Sequence, residues 1–359
     1  MPELFGKSLT RQEMEQYTGA RWQIGSVRHL QFQEGPEDGT DVVEFDTGSG
    51  LFFHALPSRG LDIASARFCG ASLALANPTG EVHPAHFEPE KVGWLKTFYA
   101  GLVTTCGMTW AGAPTEDEGE ELGLHGRYSH LAARNLKISD QWVENERVLS
   151  VAGEIREAFL FGPNVALNRT ISTVVGTNSI VIEDVVRNEG FAPTPHQFLY
   201  HINIGYPIVD ENAQFLADST VTPRDNTAEK GIENYRTFEK PKSVYPEQVF
   251  YHDIKKDNDG FCHVAIVNPD FNDGQGIGMY LRYRKNELHR FAQWKNMLAG
   301  GYVCGMEPCN CSVQGRAHDR ADQTLLFLEP GEQKQYYIEL TVLPDNEAIK
   351  DVMGIIGGQ

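Results

Sequence analysis

Two ionisable residues lie inside segments that are otherwise apolar. His201 belongs to FLYHINIGYP (198–207), and Glu307 belongs to GYVCGMEPC (301–309). A carboxyl group with apolar neighbours is partly desolvated, which raises its pKa toward the range of a general base, and an imidazole titrates near neutral pH. The two residue types therefore predict acid–base catalysis by a pair that exchanges protons with a substrate.

Each of these residues also has a structural interpretation. His201 could be a core histidine whose ring is satisfied by a hydrogen bond, because buried polar groups usually have such partners. Glu307 could be paired with Arg316 or Arg320, since buried acids are rarely unpaired. The His201 segment continues through the polar Asn203, which favours a position at the rim of a ligand cleft.

A third candidate, His125, lies in the segment LGLHGRYSH (122–130). Gly126 follows it directly, and Gly123 precedes it by two residues. Because glycine lets the backbone approach a ligand closely, we expect His125 and the nearby Arg127 to project toward a substrate. His130, at the end of the same segment, is expected to be a solvated loop residue.

Other polar residues are candidates for substrate binding. Arg59, in LPSRGLDI (56–63), could offer its planar donor fork to sugar hydroxyls or to an acidic substituent, with a salt bridge to Asp62 as the alternative. Trp294, in the polar run FAQWKN (291–296), could stack on a sugar ring. The predicted substrate-binding residues are Arg59, Arg127, Tyr200, Asn203, Gln293, Trp294 and Lys295. The cations among them, with Arg282, could bind an acidic or phosphorylated sugar or could neutralise a carboxylate.

The elements that must position these residues are mostly strands. Residues 41–60 read as two strands around Gly48–Gly50, and residues 164–190 read as another pair around Gly176–Ser179. Further strand-like runs are HVAIVNP, GIGMYLRYRK, GGYVCGMEP, TLLFLEP and QYYIELTVL, the last two separated by a turn at Pro330–Glu332. Many short strands without alternating long helices predict an all-β antiparallel sandwich.

Short helices are predicted near the two termini. Thr10 and Glu13 have capping-box spacing, and Asp345 or Asn346 can begin a second helix. We find no linker or repeat and expect one domain over residues 1–359. The acidic run 115–121 is expected to be a solvated loop.

Composition limits the possible partners. The 359 residues include 31 Lys and Arg against 49 Asp and Glu, and the net charge of −18 disfavours nucleic acid and anionic membranes. The start of the chain has no apolar signal segment and no later run could span a bilayer, so a cytoplasmic location is expected. The six cysteines are expected to be reduced and mostly buried, since Cys309 and Cys311 lack the spacing of a zinc or redox motif.

These segments resemble a known family. LHG (124–126) is similar to the LHG segment of aldose 1-epimerases, YHINIGYP (200–207) to their second histidine segment, and Glu307 to their C-terminal catalytic glutamate. The pattern PSRGLDI, GLVTTCGM, LHGRYSH, FLYHINIGYP, QWKNM and GMEPCN resembles the branch of that superfamily known as DUF4432. It covers roughly residues 55–316.

The resemblance implies a galactose mutarotase-like β-supersandwich with a sugar cleft on one face and no cofactor. It implies that Glu307 acts as base, that His201 acts as acid and that His125 holds a ring or anomeric oxygen. Arg59 and Arg127 would bind hydroxyls or an anionic substituent. The chain departs from mutarotases at Tyr200, Arg127 and Pro308, so the resemblance does not identify the substrate.

Two other functional classes are compatible with these residues. His125, His201 and Glu307 could be ligands of a metal-dependent sugar isomerase or carbon epimerase, since imidazole and carboxylate suit zinc or manganese. A non-catalytic carbohydrate-binding protein could retain the same cleft. Lyase or hydrolase chemistry on a glycoside is a weaker third possibility. In each case the expected ligand is a small sugar or sugar acid, and the expected assembly is a monomer or homodimer.

Overall fold

Strands make up most of the regular structure, as the alternating segments predict. The computed structural model describes residues 3–8 and 10–358. The strands, in chain order, are β1 (Glu3–Leu4), β2 (Lys7–Ser8), β3 (Ser26–Gln31), β4 (Asp41–Asp46), β5 (Leu51–Leu56), β6 (Asp62–Phe68), β7 (Ala71–Ser72), β8 (Val103–Met108), β9 (Thr115–Asp117), β10 (Glu120–Leu122), β11 (Arg134–Val143), β12 (Glu146–Ala158), β13 (Asn164–Val174), β14 (Ser179–Asn188), β15 (Thr194–Pro195), β16 (Gln197–Gly205), β17 (Gln214–Ala217), β18 (Ser219–Pro223), β19 (Gln248–Ile254), β20 (Phe261–Asn268), β21 (Ile277–Arg284), β22 (Arg290–Leu298), β23 (Gly301–Cys309), β24 (Phe327–Leu328) and β25 (Gln333–Leu343).

Two large antiparallel sheets organise these strands. The first has eight strands in the order β11-β12-β13-β14-β25-β21-β20-β17. The second has eleven strands, with the path β18-β19-β22-β23-β16-β8-β6-β5-β4-β3 and with β7 paired to β6. Both predicted hairpins are present, β4 with β5 and β13 with β14. The expectation of an all-β antiparallel sandwich is confirmed.

The hydrophobic core lies between the two large sheets. In β12, side chains alternate strictly between buried and half-buried or exposed positions, so one face packs inward. Apolar residues from β12, β13 and β14 join apolar residues from β5, β16 and β23 in a single buried cluster. Strand β16 is buried along its whole length, so both of its faces are covered. One face meets the core, and the other is available to form a protected site.

The helices are short, and both predicted terminal helices are confirmed. Thr10 and Glu13 form a capping box at the start of α1, and the side chain of Asp345 caps α5. The α-helices are α1 (Arg11–Tyr17), α2 (Asn226–Glu229), α3 (Phe271–Gly274), α4 (Arg316–Ala321) and α5 (Asn346–Gly357). Single 3₁₀ turns occupy Arg21–Gln23, Gly35–Glu37, Pro57–Arg59, Pro84–His86, Gly93–Thr97, Tyr128–His130 and Ile232–Asn234. None of the helices in the described part of the chain is both long and apolar enough to cross a bilayer.

One local expectation was wrong. The acidic run 115–121 is a small hairpin of β9 and β10 rather than a solvated loop, because the buried carboxylate of Asp117 binds Arg316 and Arg320 at 2.5 and 2.7 Å. The turn predicted at Pro330–Glu332 is present between β24 and β25, and each of these strands pairs with other strands, β24 with β15 and β25 with β14 and β21.

Candidate active site

Strand alternation places His201 and Glu307 on the outer face of the eleven-stranded sheet. Strands β16 and β23 are antiparallel neighbours, and Ile202 is paired with Met306. Both of these apolar side chains belong to the core between the sheets. Since successive side chains point to opposite faces, the adjacent His201 and Glu307 point away from the core. They meet at the floor of a cleft of about 250 Å³ that is partly open to solvent.

The two side chains lie close together, and Oε1 of Glu307 has no hydrogen-bond partner in the described part of the chain. Nε2 of His201 lies 3.3 Å from Oε1 of Glu307, and the side chains are only 7% and 4% exposed. Burial, together with the smaller effect of the nearby Glu247, raises the pKa of Glu307 to about 8, although Arg224 acts to lower it. Burial lowers the pKa of His201 to about 4. At neutral pH the free cleft therefore holds one proton on this pair, carried mostly by Glu307.

His125 approaches the pair from a loop. Its backbone is in the left-handed region, with φ of 59°, a conformation that is uncommon outside glycine and is found at functional sites. The His125 amide donates to the carbonyl of Gly112, and its carbonyl accepts from the Gly107 amide. The ring meets His201 edge to face at 5.7 Å between centroids. Burial, and then the neighbouring His201, lowers the pKa of His125 to about 3, so this ring is neutral.

Aromatic side chains form the walls of the cleft. Trp294 meets the His201 ring edge to face with 5.2 Å between centroids, and Trp94 lies 4.8 Å from His125. Phe98 stacks on Trp94 and also contacts His201. Such aromatic faces suit the apolar face of a sugar ring. Trp294 thus lines the cleft, and its contact with a substrate stays a prediction.

Gly305 makes room for the carboxylate. It is paired with Trp294 across β22 and β23, and it precedes Glu307 by two residues on the same face. A Cβ atom at Gly305 would lie 2.6 Å from Oε1 of Glu307 and 3.0 Å from Cβ of Trp294. Glycine therefore allows Glu307 to lie beside the indole.

Arg59 lies outside the cleft, although it was predicted to bind substrate. Its buried guanidinium donates to the backbone carbonyls of Ser129, Val82 and Thr97. It therefore ties loops together. The salt bridge expected as the alternative is also not formed, because Asp62 binds Arg169 at 3.0 Å instead.

His130 is buried rather than solvated, contrary to expectation. It shares a hydrogen bond with Thr97 and stacks on Phe87. Arg127 is exposed at the start of the turn Tyr128–His130 and does not line the cleft.

Tyr200, Gln293 and Lys295 do not line the cleft either, because each is one residue out of phase with a cleft residue. The Tyr200 hydroxyl donates to Asp184 at 2.6 Å within the core. Gln293 donates to the carbonyl of Tyr235 at 2.8 Å, and the buried Lys295 donates to the carbonyl of Asn234 at 2.9 Å. The hydrogen bonds of these side chains go to the protein.

Asn203 shares the face of His201 but is occupied by the backbone. Its amide donates to the carbonyls of Ala100 and Gly101, each at 3.1 Å, and to that of His201 at 3.0 Å. Asn203 therefore supports the floor of the cleft rather than lining it.

The structural alternative for Glu307 is not realised, since Arg316 and Arg320 bind Asp117. The sequence interpretation missed two charged residues of the cleft wall, Arg224 and Glu247. Arg224 follows β18 and Glu247 precedes β19, in segments with no motif that singles them out. Among the residues that the structure describes, no three His, Cys, Asp or Glu side chains are grouped to hold a metal ion.

Solved structures with a similar fold include proteins that are named as sugar epimerases or as mutarotase-like. A protein from Klebsiella pneumoniae subsp. pneumoniae, provisionally named an aldose 1-epimerase, has a TM-score of 0.88 at 24% identity; the match covers 93% of this chain and 87% of that one. A galactose mutarotase-like protein from Clostridium acetobutylicum has a TM-score of 0.59 at 11% identity, with 90% and 99% covered. Galactose 1-epimerase from Lactobacillus acidophilus has a TM-score of 0.54 at 10% identity, with 90% and 100% covered. The fold is galactose mutarotase-like, as the resemblance implied.

None of the curated proteins compared with this sequence matches it. A family model described as a domain of unknown function, DUF4432, matches residues 37–342, most of the chain and all of the cleft residues described above. The chain belongs to the DUF4432 family.

Proposed function

We propose that the chain is a carbohydrate epimerase of the aldose 1-epimerase type, in which Glu307 and His201 exchange protons with a small free sugar. The observation that carries this proposal is the 3.3 Å approach of His201 Nε2 to Glu307 Oε1 on the floor of an aromatic-walled cleft. The galactose mutarotase-like fold supports it, since solved structures with that fold include a galactose 1-epimerase.

The reaction requires one base and one acid at the same time. Glu307 in its carboxylate form takes the proton of the anomeric hydroxyl, while protonated His201 gives its proton to the ring oxygen. The bond between the anomeric carbon and the ring oxygen breaks, leaving an open-chain aldehyde. Rotation about the bond next to the carbonyl and reversal of both proton transfers close the ring as the other anomer.

The electrostatics of the free cleft supply the one proton that this reaction needs. With a pKa of about 8 for Glu307 and about 4 for His201, the pair carries one proton across the neutral range, mainly on Glu307. Transfer of that proton across 3.3 Å to His201 produces the carboxylate and the imidazolium together. The rearrangement adds no net charge, but it separates two charges in a buried site where both charged forms are disfavoured, and interactions with the bound sugar must offset that cost.

His125 is proposed to orient the sugar rather than to titrate. Its pKa of about 3 keeps the ring neutral, so it can donate one hydrogen bond to a ring or anomeric oxygen without competing for the shared proton. Trp294 and Trp94 would cover the sugar faces and exclude water from the pair.

The proposal is tested by NMR exchange spectroscopy on pure anomers of a panel of aldoses that begins with D-galactose and D-glucose. Carbon epimerisation is monitored in the same spectra. We expect faster anomer exchange for at least one sugar, with a loss of about 10²–10⁴-fold in Glu307→Gln and in His201→Asn. Sugar binding without exchange would support a carbohydrate-binding protein instead. Activity that disappears on chelation and returns with stoichiometric metal would support the metal-dependent alternative.

A further inference from the structure

A chain of contacts leads from the solvent-facing rim of the cleft to its floor. Glu247, whose side chain is half-exposed, accepts a hydrogen bond from Nε1 of Trp294 at 2.9 Å through Oε2. Its other oxygen, Oε1, lies 3.4 Å from the guanidinium of Arg224. Trp294 in turn contacts the His201 ring. All four residues line the cleft.

We propose that Glu247 is a positioning residue of this cleft: it holds the indole of Trp294 against His201 and, balanced by Arg224, sets the charge that Glu307 experiences. This inference rests on the proposed function only in taking Glu307 and His201 as the reacting pair. It assigns a role to a carboxylate that does not itself exchange protons with the substrate.

The first part of the role is geometric. An indole N–H is a donor only, and in Trp294 the carboxylate of Glu247 is its acceptor. A hydrogen bond to an ionised acceptor is shorter and stronger than a neutral one, so it restricts the rotation of the indole. The ring therefore keeps its edge-to-face contact with His201.

The second part of the role is electrostatic. Arg224 lies between two carboxylates, Asp225 at 2.9 Å and Glu247 at 3.4 Å. Glu247 raises the pKa of Glu307 and Arg224 lowers it, with burial as the largest cause. The two rim residues thus act on the same carboxyl group in opposite directions.

Several other titratable groups surround Glu307, and none of them supplies a compensating cation at neutral pH. The histidines at this site are neutral because burial lowers their pKa, and burial raises the pKa of the neighbouring thiols. The groups near Glu307 are His125, His201, Cys106, Cys309, Glu247 and Arg224, with Cys304 on the opposite face of β23. A change of charge at the rim should therefore reach Glu307 without being masked by a nearer ion.

The electrostatic role is tested on the substrate-free protein with ¹³C-labelled glutamate, in which Glu307→Gln identifies the Glu307 carboxyl resonance. We expect Glu247→Gln to lower the pKa of Glu307 by roughly half a unit and Arg224→Gln to raise it by a similar amount. Glu183→Gln, on an exposed position of the other sheet, is the matched control and should leave it unchanged. If the pKa of Glu307 shifted in the same direction in both rim variants, or in neither, the electrostatic role would be overturned.

The geometric role is tested with ¹⁵N-labelled tryptophan, because five indole resonances are expected and Trp294→Phe identifies the one that matters. Glu247→Gln keeps an amide oxygen that can accept from Nε1, so the Trp294 resonance should stay sharp. Glu247→Ala should shift or broaden it while the other four stay in place. Equal spectra for the Gln and Ala variants would contradict the role. Neither experiment needs a substrate, so both can succeed even if no sugar is turned over.

Discussion

At the scale of single residues, the cleft is organised around one proton. Burial acts in opposite directions on the pKa values of Glu307 and His201, because it disfavours the anion of one and the cation of the other. The neutral arrangement, with the proton on Glu307, is therefore the resting state between the two pKa values. When two groups interact this closely, the observed titration steps belong to the pair.

A pH profile of kcat/KM follows from this arrangement. Above about pH 8 Glu307 loses the shared proton and the pair has no acid, and below about pH 4 His201 gains a proton and the pair has no base. We expect a broad plateau between these limits, measured by polarimetry on an anomerically pure sugar with the spontaneous rate subtracted. An alkaline limit near pH 4.5 would show that Glu307 is ionised in the free protein at neutral pH, and the absence of an alkaline limit would show that the shared proton is not required.

At the scale of elements, three neighbouring strands place the site. Strand β16 carries His201, β23 carries Glu307 and β22 carries Trp294, and antiparallel pairing fixes their separation. Gly305 must remain small, because it lies between the indole and the carboxylate. The position of the Glu307 carboxylate therefore depends on the absence of a side chain at residue 305 as well as on its neighbours.

Gly305→Ala should displace Glu307 while leaving the strand intact. The added methyl group would lie 2.6 Å from Oε1 of Glu307, so the carboxylate must move, and a displacement of about 1 Å at a reacting group costs on the order of 10²-fold in rate. Gly301→Ala is the matched control, because it lies in the same strand and the added atom would have 3.8 Å of clearance. Equal activity in the two variants would refute the tight packing around Glu307.

At the scale of the whole molecule, a buried ion cluster joins the two sheets. Arg169, from the eight-stranded sheet, binds Asp62 of the other sheet at 3.0 Å and Asp184 of its own sheet at 2.7 Å. Tyr200 donates to Asp184 from β16, the strand that carries His201. Burial raises the pKa of Asp62 to about 7, whereas Arg169 lowers it. The guanidinium is thus the group that stabilises this carboxylate between the layers.

Arg169→Met should lower the free energy of unfolding by about 3–5 kcal/mol, because it leaves two buried carboxyl groups without their cation. Urea denaturation at neutral pH measures the effect, and Arg187→Met, at an exposed position on β14, provides the control. A loss below about 1 kcal/mol would indicate that the cluster adds little to stability.

Much of the architecture could be predicted from local pattern. Alternation in residues 41–60 and 164–190 predicted hairpins that are present, and capping residues Thr10 and Asp345 predicted both terminal helices. These predictions succeed because strand periodicity and helix capping depend on residues close together in the chain. The acidic run 115–121 was misjudged because its partners, Arg316 and Arg320, are about 200 residues away.

By itself, the sequence determined the all-β class and singled out His125, His201 and Glu307, since each is a polar residue in an apolar or glycine-rich segment. Only the tertiary structure decided which other polar residues reach the cleft. Alternation assigns neighbouring residues to opposite faces without saying which face meets the core, so Tyr200 and Lys295 could not be separated from Trp294 beforehand. The partners of a charged side chain are set by the tertiary structure and can be distant in the sequence. Arg59 is therefore held by backbone carbonyls, whereas Glu247 and Arg224 pair at the rim of the cleft.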